Sequence, residues 1–310
     1  MLKLMYITNN PDVALIAEKY GVDRIWVDLE RLGKEERQHG LDCVKSFHTV
    51  SDVANISKLL TKSEMLVRVN PINPDSKKEI DEVIEAGAQI VMLPMWKSVE
   101  EVRAFLEFVD GRTRTILLLE TKEAEQCLDE ILNLSGIDEM YVGLNDLHLS
   151  YGLSFMFELL ANGTVERICN KIKGKGIPYG FGGISRIGDG MLPAEYILIE
   201  HSRLGSSRVI LSRGFCNINS FNRLSDFEKA FKERMQIFRN YESEAFHFKE
   251  ETKLENKSIV NDLVSHIVEI IKIKDFHKQI FTKGQFEDKR NSLIGFTNTA
   301  VNELKSVKYA

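Results

Sequence analysis

The feature that most constrains this chain is a series of eight short, almost uninterrupted apolar runs, each followed by a stretch with helical periodicity. The runs are Leu2–Thr8, Arg24–Glu30, Met65–Asn70, Gln89–Pro94, Thr115–Glu120, Met140–Asn145, Pro178–Gly183 and Arg208–Ser212. Cores such as Ile-Trp-Val at 25–27, Ile-Val-Met-Leu at 90–93 and Ile-Leu-Leu-Leu at 116–119 show little polar alternation, as strands covered on both faces of a parallel sheet should. Alternating β and α segments predict βα units. Eight of them in roughly 215 residues predict a closed (β/α)8 TIM barrel. An open doubly wound sheet would ordinarily carry a glycine fingerprint after its first strand, and Thr8-Asn-Asn-Pro-Asp12 holds no glycine.

Between the runs, Ser76–Ala86, Ser98–Val109 and Lys122–Leu132 place apolar residues at helical spacing, as Ile80, Val83 and Ile84 do in the first, and predict outer helices. Beyond the last strand, Ser225–Tyr241 reads as one amphipathic helix with Phe227, Phe231, Met235 and Phe238 on a stripe and Ser225 as its N-cap. After a charged stretch, Glu242–Lys257, a second helix over Ser258–Lys274 carries Ile259, Leu263, Val264, Ile267, Ile270 and Ile271 on one side. The expected organisation is a barrel domain over 1–242 and a helical C-terminal extension over 243–310. From Tyr241 to Ala310 the chain holds 11 acidic and 11 basic residues, so the extension is not a charge-driven arm.

With 43% hydrophobic and 28% charged residues, the chain has enough apolar content for a large core. Its net charge of −5 offers no basic excess for nucleic acid, and no local basic patch compensates. The longest apolar stretches fall far below the roughly 20 residues that cross a bilayer, and no secretory pattern opens the chain. Neither nucleic acid nor membrane is an expected partner, and the expected compartment is the cytoplasm. Cys43, Cys127, Cys169 and Cys216 are scattered without short pair spacing, which fits reduced thiols better than a zinc site or a disulfide framework.

Barrel chemistry gathers at the carboxyl ends of the strands, so polar residues that close apolar runs are the first candidates. The second run ends in Asp28-Leu-Glu30, the third carries Arg68 and Asn70, the fifth ends in Glu120, and the sixth ends in Gly143-Leu-Asn145-Asp146. Glu120 and Asp146 would lie at the rims of adjacent strands, where they could share a Mg²⁺ or Mn²⁺ ion with water and substrate oxygens. The bland alternative makes both acids helix N-caps. Arg68 within an apolar strand needs an anionic partner, for which Asp28 or Glu30 would serve. The glycines of Gly180-Phe-Gly-Gly-Ile-Ser185 could mark a phosphate-holding turn or merely a tight one; Arg186 and Arg213 would support an anionic tail or form surface ion pairs.

At these residues the chain resembles the HpcH/HpaI aldolase and citrate lyase β-subunit family. The resemblance rests on Val27-Asp-Leu-Glu30, Leu66-Val-Arg-Val-Asn-Pro71, Glu85-Ala-Gly-Ala-Gln-Ile-Val-Met-Leu-Pro94, Leu118-Leu-Glu-Thr-Lys-Glu-Ala124 and Tyr141-Val-Gly-Leu-Asn-Asp-Leu147. It implies a metal-dependent barrel that forms a pyruvate-type or acyl-CoA-type enolate, with Glu120 and Asp146 as metal ligands and Arg68 facing the substrate's keto oxygen and carboxylate. Asp28 would support Arg68 from behind, and the backbone N–H groups around Asn145 and Asp146, reached past Gly143, would hold the substrate carboxylate. Where the aldolase branch has a proton-transferring histidine, this chain has Arg31, which cannot be a base at neutral pH. Glu30, His39 or His48 could substitute, and His48 is the preferred candidate; its alternative is an exposed loop position, as a surface position is for His148.

The leading expectation is therefore a carbon–carbon lyase using Mg²⁺ or Mn²⁺ and a 2-oxo acid, in a homo-oligomer whose interface the second C-terminal helix could extend. Two alternatives stand beside it. One is an acyl-CoA lyase or thioesterase of the citrate lyase type. The other is a barrel without chemistry that serves as a binding or assembly module.

Overall fold

A computed structural model describes residues 1–33 and 48–280 of the chain, with side chains as far as Ile273. Eight parallel strands close into a barrel in sequence order: β1 (Lys3–Ile7), β2 (Arg24–Asp28), β3 (Glu64–Arg68), β4 (Ile90–Leu93), β5 (Arg114–Leu119), β6 (Glu139–Val142), β7 (Tyr179–Ile184) and β8 (Arg208–Leu211). Each overlaps its predicted run, with ends displaced by at most three residues. The helices around them are α1 (Pro11–Lys19), α2 (Val50–Ser57), α3 (Ser76–Glu85), α4 (Val99–Val109), α5 (Lys122–Gln126), α6 (Leu128–Ile131), α7 (Leu144–Ser150), α8 (Glu158–Ala161), α9 (Thr164–Gly174), α10 (Ala194–Leu204), α11 (Leu224–Phe246) and α12 (Glu250–Ile280).

Side chains alternate along each strand, and the inward set forms three layers. At the amino ends of the strands Arg24 donates to both oxygens of Glu139 (2.6 Å each) and to Glu64 (3.1 Å), while Arg208 bonds Glu139 and Arg114 bonds Glu64. Two residues further along, Met5, Trp26, Leu66, Ile90, Met92, Ile116, Leu118 and Tyr141 fill an apolar waist. Beyond the waist the inward positions are Asp28, Arg68 and, just past the end of β5, Glu120. The outward set, Val27, Val67, Val91, Leu117, Val142 and Val209 among it, packs beneath the helices. The runs look continuously apolar in sequence because the waist and the outer layer are both apolar, while the ionic positions fall at the strand ends.

Tyr141 resolves an irregularity of this barrel. Its hydroxyl accepts from Ile210 N–H (3.0 Å) and bonds the carbonyls of Phe181 and Gly182, filling the place where the β7–β8 register shifts between Gly180 and Gly183. Gly180 is required there, since a Cβ would lie 2.3 Å from the Arg208 carbonyl oxygen and 2.6 Å from the Tyr141 ring. Close packing thus accounts for this glycine of the segment considered for phosphate.

Four local expectations need correction. The segment 122–132 is not one helix but two short ones that meet at Cys127. Ser225 is not the N-cap of α11: the helix starts at Leu224, and Arg223 precedes it with its guanidinium on Asp226. The charged stretch 242–257 is helical for most of its length, because α12 begins at Glu250. On α12 the buried side is formed by Val260, Leu263, Val264, Ile267 and Val268, with Ile259 and Ile271 at its margin. That side packs on α8 and α10 of its own barrel, where Asn256 also donates to the Tyr196 carbonyl and Glu200 (3.2 and 2.9 Å). It is therefore already covered within the chain. Cys169 and Cys216 are buried reduced thiols and Cys127 is partly exposed; Cys43 lies outside the described residues. Among the described residues no helix is long and apolar enough to cross a membrane.

The amino-terminal ionic layer makes a stability prediction. Burial alone would raise the Glu139 carboxyl, but hydrogen bonds and charge from Arg24 and Arg208 outweigh it and bring the group down to about 2. A depressed carboxylate stabilises the fold fully above its unfolded value of about 4.3 and loses that contribution as pH falls toward 2. Glu139→Gln, which leaves a fully buried Arg24 short of its counter-charge, should cost about 3–5 kcal/mol at pH 7. In urea titrations the gap between variant and parent should shrink below about pH 4.5.

Candidate active site

The charged rim begins with β2 and β3, whose register sets Asp28 beside Arg68. Arg68 donates through Nε to Asp28 Oδ1 and through Nη2 to Asp28 Oδ2, both at 2.8 Å, and Nη2 also lies 3.1 Å from Glu30 Oε2. The two acids named as its possible ion-pair partners therefore both hold it. All three side chains are largely buried. Burial opposes charging of the guanidinium, but Asp28, Glu30 and Glu120 more than restore it and hold Arg68 well above the ordinary arginine value. The guanidinium carbon lies 5.2 Å from the Trp26 ring centroid, the indole forming the floor of the rim.

Glu120 follows the inward series Ile116, Leu118. It is not a helix cap: the N-cap of α5 is Thr121, whose hydroxyl accepts from Ala124 N–H. Instead Glu120 Oε1 accepts from Met95 N–H at 3.1 Å. Met95 has φ of 54°, a left-handed conformation that costs a non-glycine residue energy and commonly marks functional loops. On the other side Gly143 gives Glu120 its room, since a Cβ there would lie 2.8 Å from Oε2 and 2.9 Å from the Glu120 Cβ. Burial pushes the Glu120 carboxyl well above its usual range; Arg68 counteracts this, and Glu30 and Asp146 push it further up. Asp146 sits in the first turn of α7, whose N-cap is Gly143, and is half-buried. Asn145 is exposed.

His48 returns to the same rim from the far end of the β2–α2 connection. Thr49 and Asp52 form a capping box that starts α2, and this fixes the residue before it. The ring is buried, and Nδ1 accepts the Asp28 backbone N–H at 2.9 Å. A backbone amide can only donate, so the neutral ring carries its proton on Nε2. Arg31 Nη2 donates to the His48 carbonyl (2.8 Å), and Asn70 Oδ1 accepts the Arg31 and Leu32 N–H groups. His48 is thus not an exposed loop residue, but in this arrangement its Nε2 presents a hydrogen and not the lone pair that a general base needs. His148 is buried, not on the surface, with Nδ1 3.2 Å from the Leu144 carbonyl. Arg186 pairs with Asp189 at the surface, Arg213 is exposed, and His39 lies outside the described residues.

The structure thus brings Asp28, Glu30, Arg68, Glu120 and Asp146 into one electrostatic cluster, with Gly143 and His48 against it. Among the described residues no group of three or more His, Cys, Asp or Glu side chains is placed to hold a metal. Two carboxylates, one just past the end of β5 and one in the first turn of α7, with a glycine clearing space beside the first, form a donor set that suits a hard cation. Such an ion takes one or two carboxylates and completes its shell with water and substrate oxygens. Sequence reasoning missed Trp26 and the Met95 amide. Trp26 reads as one more core aromatic, and the amide's role depends on a backbone angle that no residue type announces.

A closed (β/α)8 barrel with charge concentrated at the carboxyl ends of its strands is the general plan of barrel enzymes. The HpcH/HpaI aldolase/citrate lyase family model matches residues 3–158, and the chain belongs to that family. Among solved structures, the HpcH/HpaI aldolase from Desulfitobacterium hafniense DCB-2 superposes with a TM-score of 0.53 at 16% identity, over 68% of this chain and 86% of that one. The citrate synthase SbnG superposes with a TM-score of 0.51 at 15% identity, over 75% and 94%. These likenesses concern the fold. No curated protein sequence matches the chain significantly.

Gly143→Ala tests the geometry of the rim directly. The added methyl must displace the Glu120 carboxylate, and overpacking of this kind should cost about 1–3 kcal/mol, visible as a lowered denaturation midpoint. Gly174→Ala, where nothing lies within 4 Å and φ is not positive, controls for the added methyl without a clash.

Proposed function

We propose that the chain is a metal-dependent carbon–carbon lyase that cleaves or forms a 2-oxo acid through a pyruvate-type enolate. The observation that carries this reading is the setting of Glu120: its carboxylate lies in the field of Arg68, Glu30 and Asp146, with Gly143 leaving room against it. Asp28 and Glu30 both pair with Arg68, whereas Glu120 is pushed toward its neutral form by burial and by its acidic neighbours. Glu120 and Asp146 would hold Mg²⁺ or Mn²⁺, with Gly143 leaving room beside them. Such an ion, when bound, supplies Lewis acidity to the carboxylate and keto oxygens of a 2-oxo acid.

The chain's own groups supply the rest. Arg68, fixed by Asp28 and Glu30, offers donors to the keto oxygen as negative charge develops there. The N–H groups of Asn145 and Asp146 belong to the first turn of α7, which leaves its donors for groups outside the helix, and would orient the substrate carboxylate. With the His48 proton on Nε2, that ring would donate, and Glu30 is the proposed acceptor for the proton of the cleaved alcohol.

Exchange of the pyruvate methyl protons into deuterated water, followed by NMR, tests enolate formation without knowledge of the second substrate. Exchange should require Mg²⁺ or Mn²⁺ and should disappear in Glu120→Ala and Asp146→Ala. A folded protein that shows no exchange under any metal condition would shift the reading to acyl-CoA chemistry or to a binding role. Arg68→Ala should slow exchange by about 10²-fold or more while weakening ground-state binding of pyruvate itself, measured by calorimetry, far less. Equal losses in the two measurements would contradict a role for Arg68 specific to the developing charge.

A further inference from the structure

We propose that Trp26 is a positioning residue for Arg68, holding the guanidinium so that only its Nη1 amino group faces the reacting oxygen; this rests on the lyase reading above. Arg68 has five N–H donors. Asp28 engages Nε and Nη2, and Glu30 takes Nη2 as well. No described residue accepts from Nη1. The two acids fix the guanidinium within its plane but leave it free to tilt out of that plane. Trp26, on the same inward face of β2 as Asp28 and one pleat below it, closes this remaining freedom with its ring face 5.2 Å from the guanidinium carbon.

A second observation separates this role from core filling. The indole is almost fully buried, and its Nε1–H has no hydrogen-bond partner. A buried indole ordinarily finds an acceptor, and phenylalanine or methionine would fill this waist without an orphaned donor. What tryptophan adds over either is the strongest aromatic face for a cation. The neighbours across the strands and within the waist, Leu66 and Met92 among them, are apolar, so the attraction acts in a dry environment where it is least screened. The consequence is single-point recognition: Arg68 presents one amino group to one oxygen, not a bidentate fork to a carboxylate, which leaves carboxylate recognition to other groups.

The test uses the full chain with Trp26→Phe, which keeps a weaker ring face, and Trp26→Met, which fills the space without one. Nitrogen-15 NMR of arginine side chains, with the Arg68 signal assigned by Arg68→Lys, should show protection of its guanidinium protons from exchange falling in the order Trp, Phe, Met. Oxalate affinity with Mg²⁺, measured by calorimetry, should drop about fivefold to tenfold in Trp26→Met and less in Trp26→Phe. A lowered melting temperature with unchanged Arg68 protection and oxalate affinity would overturn the proposal and leave Trp26 as core. If Trp26→Met does not fold, unchanged protection in Trp26→Phe overturns it equally. If the parent protein binds no oxalate, the lyase reading fails, and the protection order alone decides whether Trp26 positions Arg68.

Discussion

The ion pair between Asp28 and Arg68, formed across two neighbouring strands at the mouth of the barrel, is the interaction on which the arrangement of this site depends. A guanidinium at a largely buried strand position is tolerable only with anionic partners, and the β2–β3 register delivers Asp28 directly beside it. Glu30, two residues on, completes the pairing. The rest of the rim is arranged around a cation already spoken for, so the further carboxylates, Glu120 and Asp146, are left in one another's field.

The two ends of the barrel solve the same electrostatic problem differently. At the amino ends, Arg24, Arg114 and Arg208 interleave with Glu64 and Glu139, and Glu139 is held strongly ionised. That end is internally satisfied and serves stability. At the carboxyl ends burial and the neighbouring Glu30 and Asp146 drive the Glu120 carboxyl up, against the pull of Arg68. The apolar waist keeps the two networks apart.

Much of this was legible in the sequence. The eight strands could be read because parallel strands buried on both faces give continuous apolar runs, and the charged rim because polar residues closed those runs. The amino-terminal ionic layer escaped notice because Arg24, Glu64, Glu139 and Arg208 stand where a strand begins and resemble loop charges. Whether Glu120 capped a helix or faced inward turned on one residue, Thr121, which takes the capping role. His48 was the preferred substitute for the histidine missing after the second run, but the bond from the Asp28 amide, which sets its tautomer, depends on backbone geometry. On α12 the expected Leu263, Val264 and Ile267 are buried, while packing on α8 and α10 covers Val260 and Val268 more fully than the expected Ile259 and Ile271.

The most direct test of the central proposal, that Glu120 and Asp146 hold a divalent cation at the mouth of the barrel, is a titration of the protein with Mn²⁺ followed by the electron paramagnetic resonance signal of the free ion. One ion should be withdrawn from solution per chain, and Glu120→Gln or Asp146→Asn should each abolish that binding while the protein stays folded. Binding of equal strength in both variants, or none in the folded parent protein, would contradict the account.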